Sequence, residues 1–191
     1  LVAGTPDEVA WARDFEVAGA EEPLRARLYV PRERAEDEDS PTLVFFHGGG
    51  FVRGDKGGAT GWHNASVARM AAKAGFLGVA ANYRLAPKHK FPAGAEDVAA
   101  VVDWLRTHAA EYGADPARIC VAGTSAGAVH VAGYLDLRKD TAKAEIAGAV
   151  LLFLVGTAPA LAAEEAARAA SRSGSGGTDH CDGDGGGSRQ K

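Results

Sequence analysis

Two short runs in this sequence pair residue types with the spacing that acyl-transfer chemistry needs. The first is Gly123-Thr124-Ser125-Ala126-Gly127. A serine between glycines two positions either side fits a sharp strand-to-helix turn, because neither flanking position has room for a side chain. Such a turn presents the hydroxyl at a helix N-terminus, where aligned amides favour developing negative charge. The second run is His47-Gly48-Gly49-Gly50-Phe51. Consecutive glycines allow backbone N–H groups to converge on one point without side chains in the way. That is what stabilisation of a tetrahedral oxyanion requires, and removing one such donor typically costs about 3 kcal/mol. The expected roles are Ser125 as nucleophile, with the amides of Gly48, Gly49 and Ala126 as oxyanion donors. The competing readings are a plain N-cap for Ser125, and a flexible loop or phosphate cradle for the glycines. A phosphate loop would end in Gly-Lys-Ser/Thr and a dinucleotide site would read G-x-G-x-x-G; neither pattern is present.

The elements around these runs supply the setting. Residues 119–122 are a short apolar strand leading into the serine run, and residues 126–137 read as the helix that follows it. Residues 43–46 are apolar without alternation, as in a strand buried on both faces of a parallel sheet, and they lead directly into the glycines. Upstream, residues 13–18 and 24–30 alternate polar and apolar around a Gly/Glu/Pro turn, which predicts an antiparallel hairpin with one wet face on each strand. Val67, Met70, Ala71 and Ala74 recur at helical spacing, and Gly75 stands where that helix would stop. Residues 76–81 predict a further buried strand. Residues 97–108 predict a helix through Val98, Val101, Val102 and Leu105, and residues 146–154 another apolar strand. The fold class expected is α/β: a mainly parallel sheet with an N-terminal antiparallel hairpin and helices on both faces.

Composition bounds the rest. The chain has 191 residues, is 46% hydrophobic and carries a formal net charge of -4. No basic stripe marks a nucleic-acid partner, and the acidic residues between 33 and 39 read as a solvated loop. The longest strongly apolar stretch, residues 146–155, is about half the ~20 residues a membrane helix needs. With no signal-peptide pattern at its start, the expected location is cytoplasmic. Cys120 and Cys181 are too few and too differently placed for a disulfide framework or a metal site, and Cys120 reads as a small buried hydrophobe. No cofactor is expected. Beyond Pro159 the sequence becomes Ala/Glu-rich and then Ser/Gly/Asp-rich. The expected division is a core over residues 1–160 and a tail over residues 161–191, with residues 171–191 disordered.

Four co-linear motifs carry a resemblance: His47 to Phe51, Asn82-Tyr83-Arg84-Leu85-Ala86-Pro87, Phe91-Pro92-Ala93 and Gly123 to Gly127. In order and spacing they resemble the hormone-sensitive-lipase-like bacterial carboxylesterases of the α/β-hydrolase fold, over roughly residues 10–155. The resemblance implies hydrolysis of small-molecule carboxylic esters with short acyl chains, through an acyl-enzyme on Ser125. It also implies that His47 supports the glycine loop rather than taking the serine proton, and that Asp97 is a structural acid near a helix start.

In that fold the triad carboxylate and histidine follow the serine in the chain. Only His130 and His180 do so here. His130 lies five positions along the same helix and is expected to serve packing or surface; His180 sits in a Gly-rich segment with no strand to fix it. His63, His89 and His108 precede the serine and read as surface or supporting residues. The triad Asp and His therefore have no occupant, as in a chain cut short or shifted in frame after the strand at 146–154. The alternative to an esterase is an inactive fragment or pseudoenzyme. The strand at 146–154 would then form an apolar sheet edge prone to self-association.

Overall fold

In a computed structural model, residues 9–19, 21–33, 39–57 and 62–153 are described. The expectations for the acidic loop over residues 34–38 and for residues 154–191 lie outside them. The elements are β1 (Trp11–Val17), β2 (Leu24–Val30), β3 (Ser40–Phe46), α1 (Trp62–Lys73), β4 (Leu77–Ala81), α2 (Ala93–His108), a 3-10 turn (Ala109–Tyr112), β5 (Ala114–Thr124), α3 (Ala126–Leu137), α4 (Ala142–Glu145) and β6 (Gly148–Leu152). Among the described residues they build a six-stranded sheet in the order β1-β2-β4-β3-β5-β6. β1 and β2 form the expected antiparallel hairpin, β2 joins β4 antiparallel, and β4, β3, β5 and β6 are mutually parallel.

Alternation along the strands divides the core between the two sheet faces. Leu77, Val79 and Ala81 of β4 join the larger apolar cluster with Val44 and Phe46 of β3. That cluster includes Val98, Val101, Val102 and Leu105 of α2 and Val131 and Tyr134 of α3. Ala80 faces the other way, packing with Tyr29 and with Ala65, Ala68 and Ala72 of α1. The helices thus cover both faces, as the succession of elements predicts.

Several details depart from expectation. β2 has no wet face beyond Arg25, because β1 and β4 flank it and α1 lies over it; even Arg27 is buried. The covered stripe of α1 consists of alanines rather than Val67, Met70 and Ala74, and Met70 is exposed. The reason is proximity: a Cβ at Gly78 of β4 would sit 1.9 Å from the Ala68 carbonyl oxygen, so the helix rests on the sheet at a distance only small side chains allow. α2 starts four residues before Asp97, and β5 reaches back to Ala114. Cys120 is half-buried. β6 ends at Leu152 and among the described residues pairs only with β5; Val150, Leu151 and Leu152 are exposed. No helix among the described residues is long and apolar enough to cross a membrane.

Candidate functional site

Parallel register brings the two motifs together. Phe46 at the end of β3 lies opposite Gly123 at the end of β5, so the glycine loop and the serine turn leave the sheet side by side at the C-terminal ends of adjacent strands. Ligand crevices of open α/β sheets form at such ends.

Ser125 occupies φ 51 and ψ -117, a conformation that side-chain-bearing residues rarely adopt. Its surroundings enforce the turn. A Cβ at Gly127 would lie 2.3 Å from the Phe46 carbonyl oxygen and 2.6 Å from that of His47, and a Cβ at Gly123 would strike the Gly127 backbone at 2.5 Å. Only glycine fits either position, as the motif requires. The Ser125 amide donates to the Leu152 carbonyl at 2.9 Å, tying the turn to β6, and the Ser125 carbonyl accepts from Val129 in α3. Its side chain makes no cap hydrogen bond. The residue is exposed, so the hydroxyl is not consumed in starting the helix.

Gly48 lies directly against this turn. A Cβ there would be 3.2 Å from the Thr124 carbonyl oxygen and 3.3 Å from the Ser125 Cβ. The next residues, Gly49, Gly50 and Phe51, all have positive φ, which folds the loop back on itself; the amides of Val52 and Arg53 both donate to the Gly49 carbonyl. Among the described residues the Gly48 and Gly49 amides donate to no carbonyl in turns or loops. Ala126, the first residue of α3, is at a position whose amide has no acceptor within the helix.

His47 is buried beneath the loop. Its Nδ1 donates to the Gly48 carbonyl at 2.8 Å, and its ring stacks on Tyr83 with centroids 4.4 Å apart. The Tyr83 hydroxyl in turn donates to the His47 carbonyl at 2.8 Å. Burial holds the imidazole below its ordinary pKa and pushes the Tyr83 phenol up to about 12, so both remain neutral. A buried ring clamped on both sides in this way supports the loop.

The remaining histidines serve other contacts. His89 pairs with Glu21 and Glu22, and His108 Nδ1 donates to the Trp104 carbonyl. His180 and the His63 side chain lie outside the described residues. His130 is 6% exposed and meets Tyr83 and Phe51 edge-on, at centroid distances of 4.5 and 5.4 Å. Among the described residues, neither of its ring nitrogens has a hydrogen-bond partner. It lines a cavity of about 450 Å³ together with Phe51, Ala86, Phe91 and Val129. Sequence reasoning missed this cavity, because its walls come from three separate motifs. A larger cavity, about 580 Å³, lies around Val17, Gly19, Trp104 and Leu137, away from both motifs.

Asp97 lies inside α2 rather than at its start. Its carboxylate accepts from the Arg84 backbone amide at 2.7 Å and from Arg84 Nε at 2.8 Å, with both side chains almost fully buried. Arg84 also donates to the Ala93 carbonyl and pairs with Glu96. The pair pins residues 84–93 to α2 and thereby fixes one wall of the cavity. The signal was the arginine inside the Asn82 to Pro87 motif, which needs a carboxylate wherever it is buried. Among the described residues no cluster of His, Cys, Asp and Glu could hold a metal ion.

Residues 43–178 match a family described as alpha/beta hydrolase fold. Esterase LipI of Mycobacterium tuberculosis is 36% identical over 127 residues, covering 66% of this chain and 38% of that protein. An amyloplastic tuliposide A-converting enzyme, b1, of Tulipa gesneriana is 37% identical over 143 residues, covering 70% of this chain and 37% of that protein. A hyperthermophilic esterase from the archaeon Pyrobaculum calidifontis superposes with a TM-score of 0.65 at 35% identity, over 75% of this chain and 45% of that one. This chain spans less than half the length of each.

Proposed function

This chain belongs to the alpha/beta hydrolase family, and we propose that within it the protein is a serine esterase of the hormone-sensitive-lipase-like branch, cleaving carboxylic esters with short acyl chains. Ser125 Oγ attacks the ester carbonyl carbon, the oxyanion forms against the amides of Gly48, Gly49 and Ala126, and collapse expels the alcohol to leave an acyl-enzyme that water hydrolyses. The observation that carries this reading is the Ser125 turn. A disfavoured backbone conformation, enforced by glycine contacts on both sides, holds an exposed residue with an uncommitted hydroxyl on a turn packed against Gly48. Strain of this kind persists only where surrounding structure imposes it, and it clusters at active sites.

A base must take the serine proton. Among the described residues no histidine bonds to Ser125, and that observation favours a second reading: a chain that binds esters without turning them over. One assay separates the two. Hydrolysis of p-nitrophenyl acetate by the full chain is expected to fall to the buffer rate on Ser125→Ala substitution, whereas equal rates for both proteins would eliminate the esterase.

A further inference from the structure

A backbone N–H that must meet an oxyanion is aimed by its own peptide plane, because a planar trans peptide points the N–H opposite to the carbonyl of the preceding residue. Fixing that carbonyl fixes the donor. Each of the three candidate donors belongs to a peptide held in this way. The Ala126 amide shares its plane with the Ser125 carbonyl, which accepts from the Val129 amide at 3.2 Å. The Gly49 amide shares its plane with the Gly48 carbonyl, which accepts from His47 Nδ1 at 2.8 Å. The Gly48 amide shares its plane with the His47 carbonyl, and the Tyr83 hydroxyl donates to that oxygen at 2.8 Å.

The third hold reaches the glycine loop from a different part of the chain, just beyond β4. Among the described residues no amide in turns or loops donates to the His47 carbonyl, which leaves the phenol as its anchor. An anchor is needed there, because the carbonyl opens a run of three glycines, whose peptide planes rotate with little steric resistance. The Tyr83 ring itself is 4% exposed, belongs to the larger apolar cluster and stacks on His47. Phenylalanine would fill the same space and stack in the same way. What the hydroxyl adds is the bond to the His47 carbonyl, and burial pushes the phenol up to about 12, so it remains a donor at neutral pH.

We infer that Tyr83 is a positioning residue for ester cleavage: its hydroxyl, by holding the His47 carbonyl, aims the Gly48 N–H at the oxyanion that forms on Ser125. The Gly48 backbone lies against the serine turn, where a Cβ would be 3.3 Å from that of Ser125, so a rotation of this one peptide swings the donor relative to the reacting atoms. An oxyanion donor acts on the charge that develops in the transition state more than on the neutral ester. Misaiming it therefore lowers kcat and leaves KM nearly unchanged.

The inference rests on the esterase reading for the reaction, but the aim of the amide is measurable without turnover. In the ¹⁵N-labelled full chain, weakly aligned in solution, residual dipolar couplings report the direction of each N–H. Tyr83→Phe should change the Gly48 coupling while those along β3 and β5 stay at their wild-type values, which also shows the fold to be intact. Tyr134→Phe, which deletes another buried tyrosine hydroxyl's bond, to Glu145 at 2.9 Å, should leave Gly48 unmoved. On p-nitrophenyl acetate, Tyr83→Phe should lower kcat about 10- to 100-fold with KM changed less than about twofold, and Tyr134→Phe should alter neither. An unchanged Gly48 coupling in Tyr83→Phe, an unchanged kcat in an active protein, or an equal loss in Tyr134→Phe would overturn the proposal. A wild-type protein that does not turn over the ester would refute only the esterase, and the Gly48 coupling then decides by itself whether Tyr83 aims the amide.

Discussion

Acid should weaken this fold through His130 before it touches the carboxylates. In the unfolded chain the imidazole titrates near its ordinary value of 6.5; in the folded protein burial, with the nearby His47 ring adding to it, pushes the pKa down to about 4. A depressed pKa on a basic group means that the folded state binds the proton less readily than the unfolded one. Its contribution to stability is therefore complete above pH 6.5 and drains away as pH falls toward 4. At 1.36 kcal/mol per pKa unit, the loss accumulated by pH 4 is about 3 kcal/mol. For a domain of this size that corresponds to roughly 6–12 °C in Tm. Thermal unfolding followed by circular dichroism at pH 7 and pH 4, in wild type and His130→Leu, isolates the effect. His47 is shifted in the same direction and interacts with His130, so the difference between the two pH dependences reports His130 together with its coupling to His47. The variant should lose less stability than wild type over this interval by about 3 kcal/mol. Identical pH dependences would refute the reasoning, because they would mean that the His130 ring titrates normally in the folded protein.

The strained turn gives a second expectation. Ser125→Gly should be more stable than Ser125→Ala by about 1 kcal/mol in urea denaturation, since only glycine adopts φ 51 without steric cost; a more stable alanine variant would argue against strain at this position. Asp97→Ala should cost about 3–5 kcal/mol, because it strips the buried Arg84 of the acceptor for its Nε and its backbone amide while Glu96 remains on the outer nitrogen. A loss below 1 kcal/mol in the same assay would mean that the pair does not hold the cavity wall.

What the sequence made legible, and what it hid, follow from the range of the forces involved. The serine turn and the glycine loop were readable because each is enforced locally: Gly127 is needed by contacts with the Phe46 and His47 carbonyls, and no other residue type fits. The periodicity of Val98, Val101, Val102 and Leu105 likewise predicted a buried helix face, and all four are fully buried. The start of that helix was misplaced by four residues because Asp97 looked like a first-turn acid. Its carboxylate is instead spent on Arg84, thirteen positions away, a partnership no local pattern encodes. The alanine stripe of α1 was overlooked for a similar reason: Ala68 is selected by the close approach of Gly78 on another strand, whereas hydrophobic spacing points to the larger and exposed Met70. β5 begins at Ala114, earlier than its apolar run, since Asp115 and Pro116 carry no strand signal and Ala114 is paired to Ser40 across a register shift. His130 could be read only as packing or surface while the cavity it lines was unknown, because that cavity is assembled from residues nearly eighty positions apart.

The central claim is that Ser125 forms a covalent intermediate, and labelling tests it most directly. The full chain is treated with diisopropyl fluorophosphate, digested, and its peptides are mapped by mass spectrometry. One phosphoryl adduct is predicted, on the serine of the Gly123 to Gly127 run, with none in Ser125→Ala. An adduct on a different residue, or an unlabelled Ser125 in protein that still hydrolyses p-nitrophenyl acetate, would contradict the account.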